Sequence, residues 1–200
     1  MPAEPAVNTE ERISYAEFGA GFFEHAITKE RVLGSLGDLA GDAINFGPIR
    51  VGPGGLAQVR ANGQIGQPSA VRLQRDEVAF LLSIPVELDL QIHLLGEKHK
   101  FHASIGVTLT LTARATRPLC IFIDINEPQT RDVVVSIEAD GLRASVLRHV
   151  AGIDRELAQF VARYVGREID KPSVRAARMI DVAAKIDGAY PAATHSPGTE

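Results

Sequence analysis

Apolar and polar residues alternate along one long stretch of the chain. Every even position from Phe80 to Leu94 is apolar, and from residue 85 the odd positions are mostly polar: Glu87, Asp89, Gln91 and His93. After Gly96-Glu97 the phase flips. Phe101, Ala103, Ile105, Val107, Leu109, Leu111 and Ala113 are then apolar against His102, Ser104, Thr108, Thr110, Thr112 and Arg114. Strict alternation predicts half-buried antiparallel strands. A two-residue Gly96-Glu97 turn with glycine first pairs Ile92 with Phe101, Leu88 with Ile105 and Val86 with Val107. All apolar pairs then share one face, and a one-residue slip would separate them. Each arm spans roughly 50 Å at ~3.3 Å per residue, and strands of that length twist and coil.

Shorter strands flank this hairpin. Ile44 and Phe46, then Ile49 and Val51, read as strand pieces broken by Gly47-Pro48. Gly52-Pro53-Gly54-Gly55 reads as a turn, followed by alternating Ala57, Val59, Ala61 and Ile65. Asn62-Gly63 lies inside that alternation as a hairpin signal or a bulge. Leu119, Ile121, Ile123 and Ile125 continue the pattern, Glu127-Pro128-Gln129-Thr130 turns the chain, and Val133, Val135, Ile137 and Ala139 follow.

Helical spacing marks the two ends. Ser14-Tyr15-Ala16-Glu17 has the form of a capping box, and Tyr15, Phe18, Phe22 and Phe23 follow at intervals of three and four. Thr28 offers a second N-cap, before Val32, Leu33, Leu36 and Leu39, with Gly41 as the stop. Toward the C-terminus, Val146, Val150, Ile153, Leu157, Phe160, Val161, Tyr164 and Val165 cover one side of a helix over about 143–169. Such a helix is roughly 40 Å long at ~1.5 Å per residue. Arg148, Arg155, Arg163 and Arg167 fall opposite, and Pro172 ends it. Residues 173–189 suit either a helix (Val174, Ala177, Ile180) or a short strand (Ile180, Val182).

The expected fold is α+β: a long, strongly curved antiparallel sheet wrapping a long C-terminal helix, with two short N-terminal helices. Residues 1–9 and 191–200, rich in proline and small residues, read as loose tails around a single domain over 10–190. The chain has 200 residues and a formal net charge of -4, which removes a global basic field for nucleic acid. Its one cysteine, Cys120, leaves no internal disulfide and no four-thiolate zinc site. No run of 18 apolar residues exists. The N-terminus has no basic stretch followed by an apolar one, so the expected location is cytoplasmic.

The order of elements, with the very long hairpin Phe80–Ala113 before the amphipathic helix Ser145–Ile169, resembles the tubular lipid-binding (TULIP) superfamily. The resemblance implies a curved sheet around a helix and an apolar tunnel for lipid chains. It rests on element order over about residues 15–188 and carries no residue over by position. The helix-grip fold of START-like cyclases and carriers also wraps a C-terminal helix in a sheet, but it begins with a strand.

More than twenty apolar strand side chains point to one face, and a stripe of about eight helical residues is too small to cover them alone. Either the N-terminal helices complete the core or a cavity remains. The leading expectation is non-enzymatic binding or carriage of a lipid or other apolar small molecule. The expected lining is Leu88, Leu90, Ile105, Val107, Ile121 and Ile123 from the sheet, with Leu157, Phe160 and Val161 from the helix.

The first alternative is a helix-grip enzyme, which needs polar groups on the concave face and has few beyond His99, Tyr15 and Tyr164. The second is an interaction protein whose apolar sheet face is covered by a second copy, as a homodimer. No catalytic residue, metal ligand or cofactor is assigned. His93, His99 and His102 cluster near the hairpin tip, with His93 and His102 as diagonal neighbours, but Lys98 and Lys100 disfavour a cation. Glu87 and Asp89, with Ser104 opposite Asp89, read as a solvated convex face, and Cys120 has no assignable base. Gly52–Gly55 lacks the residues of a phosphate loop. Arg143, Arg148, Arg155, Arg163, Arg167, Lys171, Arg175 and Arg178 offer peripheral contact with an anionic membrane. No aromatics interleave with them as nucleic-acid binding would need.

Overall fold

The structure, a computed structural model, describes residues 12–36, 40–51, 53–55, 57–94, 96–138 and 152–189. The expected tails, and the part of the C-terminal helix expected over 143–151, lie outside these residues.

The fold is α+β, with a curled eight-stranded antiparallel half-barrel sheet and five helices among the described residues. Its axis is the hairpin of β4 (Ala79–Leu94) and β5 (Glu97–Thr116), of 16 and 20 residues. Each arm carries two flanking strands along its outer edge. On β4 these are β2 (Ala57–Ile65), which continues to β1 (Ala43–Val51), and β3 (Ser69–Arg72). On β5 they are β7 (Val133–Glu138) and β6 (Cys120–Ile125), the latter extended by β8 (Met179–Asp181). Pro85 donates no ladder hydrogen bond. It falls between the β4 segments paired to β3 and to β2, where no flanking strand needs one.

The hairpin register differs from the expected one. Ile92 pairs with His99, Leu88 with Ala103 and Val86 with Ile105, a slip of two residues. The arms close at the pair Leu94–Glu97, so Glu97 belongs to β5 and not to the turn, and Gly96 has φ +87°. A slip of two preserves the face of every side chain, so alternation alone does not separate the two registers. Leu82, Leu88, Leu90 and Ile92 still lie on the same buried face as Phe101, Ala103, Ile105 and Val107.

Three other expectations change. The two pieces around Gly47-Pro48 form one strand, β1, with a bulge between Phe46 and Ile49. Asn62-Gly63 is neither a turn nor a bulge but lies in unbroken register with β4. A Cβ on Gly63 would collide with the carbonyl oxygen of Glu87, so the two backbones meet at a distance only glycine permits. Strand β3, short and exposed at Ser69, Val71 and Arg72, has no alternating signal of its own.

Helix α1 (Tyr15–Ala26) opens with the full capping box: Ser14 accepts from the Glu17 amide, and the Glu17 carboxylate accepts from the Ser14 amide. It buries none of its residues; Tyr15 and Phe18 face outward, and Phe22 is partly exposed. Helix α2 (Lys29–Gly34), capped by Thr28, is six residues long and ends before the expected stop at Gly41. The N-terminal pair therefore contributes little to the core, chiefly Ile27 and Val32.

Helix α3 (Ile153–Ile169) has 17 residues, or about 25 Å, half the length of the hairpin. It packs chiefly on β7 and the short 3-10 turn before it. Its small buried residues Ala158, Ala162 and Gly166 recur at i, i+4 and i+8 on one line. Gly166 lies close to the Glu127 side chain. The region left as helix or strand is both: α4 (Pro172–Ala177) starts on Pro172, followed by β8 and then α5 (Val182–Ala189).

Candidate functional site

Between the concave face of β4–β5 and the flank of α3 lies a cavity of about 410 Å3. Its sheet wall is Leu82, Ile84, Val86 and Leu88 from β4 with Ile105, Val107, Leu109 and Leu111 from β5. Its helix wall is Phe160, Val161, Tyr164, Val165, Glu168 and Ile169. Asp42 and the β1 residues Ala43, Ile44 and Phe46 close one side, and Leu36, Ile65, Ile125 and Val174 complete the lining.

The helix explains why the space is open. Its narrow side of alanine and glycine is buried, with Gly166 against Glu127, and α3 packs chiefly on β7 and the turn before it. The large residues Phe160, Val161, Tyr164 and Val165 are left facing the hollow. Across it, Phe46 of β1 meets Phe160 with ring centroids 4.9 Å apart, and Phe160 stacks on Tyr164 at 6.4 Å. Inward-facing Ile84, Phe46, Phe160, Val161 and Val165 remain only half-buried. Close-packed interiors seldom leave large apolar side chains in that state. Asp42, Ala43 and Tyr164 are the exposed members of the wall, so the cavity meets solvent between the start of β1 and α3.

Of the nine expected lining residues, Leu88, Ile105, Val107, Phe160 and Val161 line this cavity. Leu90 and Leu157 are each 1% exposed and belong to the packed core. Ile123 is partly buried against that core. Ile121 lines a second, more open hollow of about 640 Å3 between the helix α1–α2 region and α5, with Phe22, Ile27, Ile180, Val182 and Ile186. The contribution of β1 and of the last turn of α3 was not expected. The signal for it was the small-residue ladder Ala158, Ala162, Gly166, which fixes the docked side of the helix and so the free one.

Polar groups are few. Tyr164 is the only one of His99, Tyr15 and Tyr164 in the cavity wall; Tyr15 is 98% exposed. His99 sits opposite Ile92 near the hairpin tip, with Glu97 at 3.6 Å. Glu87 and Asp89 lie on the convex face, away from the cavity. There His102 bridges them, Nε2 to Glu87 at 3.0 Å and Nδ1 to Asp89 at 3.2 Å, and Ser104 donates to Glu87 at 2.8 Å. In the observed register Ser104 stands opposite Glu87, not Asp89, and His93 pairs with Lys98, away from His102. Hydrogen bonds to Asp89 and then Glu87 raise the His102 pKa above its ordinary value. No group of metal-ligating side chains occurs among the described residues.

Arg155, Arg163 and Arg167 are exposed on α3, as the helical wheel requires; Arg143 and Arg148 lie outside the described residues. Arg178 does not join this basic face. It is 9% exposed, with its guanidinium 5.2 Å from the Phe122 ring. No helix among the described residues is long and apolar enough to cross a membrane. No family model matches the chain, and no curated protein matches it, so the functional reading rests on the geometry above.

Proposed function

We propose that the protein binds or carries a lipid or other apolar small molecule in the hollow between the curved sheet and α3, without chemical conversion. The observation that carries this reading is a cavity of about 410 Å3 walled almost wholly by hydrocarbon. That size lies within the roughly 300–1,000 Å3 of small-molecule sites. An alkyl chain entering it would restore dispersion contacts that the half-buried walls lack, and each buried methylene contributes about 0.8 kcal/mol. The order of elements and the long curled hairpin support a tubular lipid-binding type of carrier. Tyr164, the single polar aromatic of the wall among the described residues, gives the enzyme alternative little to work with.

Native mass spectrometry of freshly purified protein tests the proposal. A population heavier than the bare chain by the mass of a lipid-sized molecule, lost on solvent extraction, is expected. A single unliganded mass that stays unliganded after incubation with C12–C18 alcohols would refute it.

One observation favours self-association as a second reading. The sheet's apolar face is buried within the monomer, but α1 exposes Tyr15 at 98% and Phe18 at 62%. An apolar helix face of this kind suits a homodimer contact. Light scattering that reports monomer at high concentration would count against it.

A further inference from the structure

We infer that the ligand of this cavity carries an uncharged or cationic hydrogen-bond-donating head, such as a hydroxyl or an amine, and not a carboxylate or phosphate. The inference rests on the apolar-ligand reading and adds the chemistry of the head group. Among the described residues, the wall contains two carboxylates, Asp42 and Glu168, and the hydroxyl of Tyr164, but no lysine, arginine or histidine. Asp42 and Tyr164 are also among its exposed members, which puts them where the cavity meets solvent and where an amphiphile leaves its head. The Glu168 carboxylate is held by Lys171 Nζ at 2.6 Å, so that pair is balanced and its ammonium already engaged. Asp42 has no side-chain partner among the described residues. Its backbone carbonyl accepts from Ile65, which holds the backbone from which the carboxylate projects. Glu168 and Ile169, in the last turn of α3, also line the cavity, so the negative end of the helix dipole lies along its wall. An anionic head would meet the Asp42 carboxylate and a helix C-terminus, with the Lys171 ammonium already engaged by Glu168. A hydroxyl or ammonium would donate to Asp42.

The test is displacement of N-phenyl-1-naphthylamine from the full chain at pH 7 by dodecylamine, dodecanol and dodecanoate, all below their micellar concentrations. Dodecylamine and dodecanol are expected to displace the dye, and dodecanoate to need about fivefold more or beyond, the scale of one partly solvated charge contact. Asp42→Asn should bring the amine and the acid to within about twofold of each other, and Asp42→Lys should reverse their order. Dodecanol should respond little to either change. Dodecanoate binding as well as dodecylamine, or a preference that both Asp42 variants leave intact, overturns the head-group inference while the apolar-ligand reading stands. Failure of the dye and of all three compounds to bind overturns both.

Discussion

The ring of Phe46, on edge strand β1, lies 4.9 Å from the ring of Phe160, on α3, and this contact spans the open side of the cavity. On its other side α3 is anchored to β7. The two aromatics therefore join the free edge of the sheet to the helix at the place where a ligand would pass. Both rings are only half-buried. Phe160→Ala should cost about 1–2 kcal/mol, below the 3–5 kcal/mol of a ring in a filled core. It should speed release of a bound alkyl probe severalfold. Stopped-flow dissociation of a fluorescent fatty alcohol, beside a urea melt, measures both. Unchanged release would mean that the rings do not border the route.

One turn apart on α3, Leu157 is 1% exposed and Val161 faces the hollow. Leu157→Ala should destabilise by about 2–5 kcal/mol. Val161→Ala should cost under about 1 kcal/mol, because few atoms pack on that methyl pair. Val161→Phe should fit without overpacking, hold or raise the melting temperature, and reduce uptake of a C12 alcohol. Equal costs for the two alanine variants in chemical denaturation would show the cavity to be filled.

The same substitution should act oppositely at two glycines. Gly63→Ala drives a Cβ into the Glu87 carbonyl of the neighbouring strand, where no side-chain motion relieves it, and should destabilise by more than about 2 kcal/mol. At Gly166 the new Cβ meets Glu127 Oε1 at 2.7 Å, Cγ at 3.0 Å and Cδ at 3.2 Å, all atoms of one exposed side chain that can rotate away. Alanine's helix propensity, worth about 1 kcal/mol over glycine, then makes that variant neutral or stabilising. Differential scanning calorimetry on the pair reads the two signs.

On the convex face, the raised pKa of His102 comes from its hydrogen bonds to Asp89 and Glu87. A group whose folded pKa exceeds its unfolded value adds stability that is complete below the unfolded pKa and is lost as pH rises through the folded one. The wild type should therefore lose a small increment across the imidazole range, and His102→Ala should lose none there. An NMR titration should show His102 above its ordinary value, and Glu87→Gln with Asp89→Asn should return it. A His102 pKa unmoved by that double change would contradict the assignment.

Much of the sheet was legible because alternation reports burial directly: the even positions of β4 from Phe80 to Ile92 and the odd positions of β5 from Phe101 to Ala113 point inward as read. Register was legible only to within two residues, since a shift of two leaves every face unchanged. The capping residues Ser14 and Thr28 marked the helix starts through their own hydrogen bonds. Whether α1 would be buried was not encoded in Tyr15, Phe18 and Phe22, because an apolar helix face is the same sequence whether or not something covers it. The cavity wall was half-legible. Leu88, Ile105 and Val107 follow from the sheet's face, and Phe160 and Val161 from the helical stripe. Asp42, Phe46 and Glu168 depend on how the helix leans across the sheet, and that is set by Ala158, Ala162 and Gly166, residues that weigh little in a hydrophobic pattern.

The most direct test of an alkyl-binding hollow is a set of intermolecular NOEs between unlabelled dodecanol and methyl-labelled protein. Contacts from the chain to the methyls of Leu88, Ile105, Val107, Val161 and Val165 are expected together. Contacts confined to the outer surface of α1, or none at saturating alcohol, would contradict a ligand site between sheet and helix.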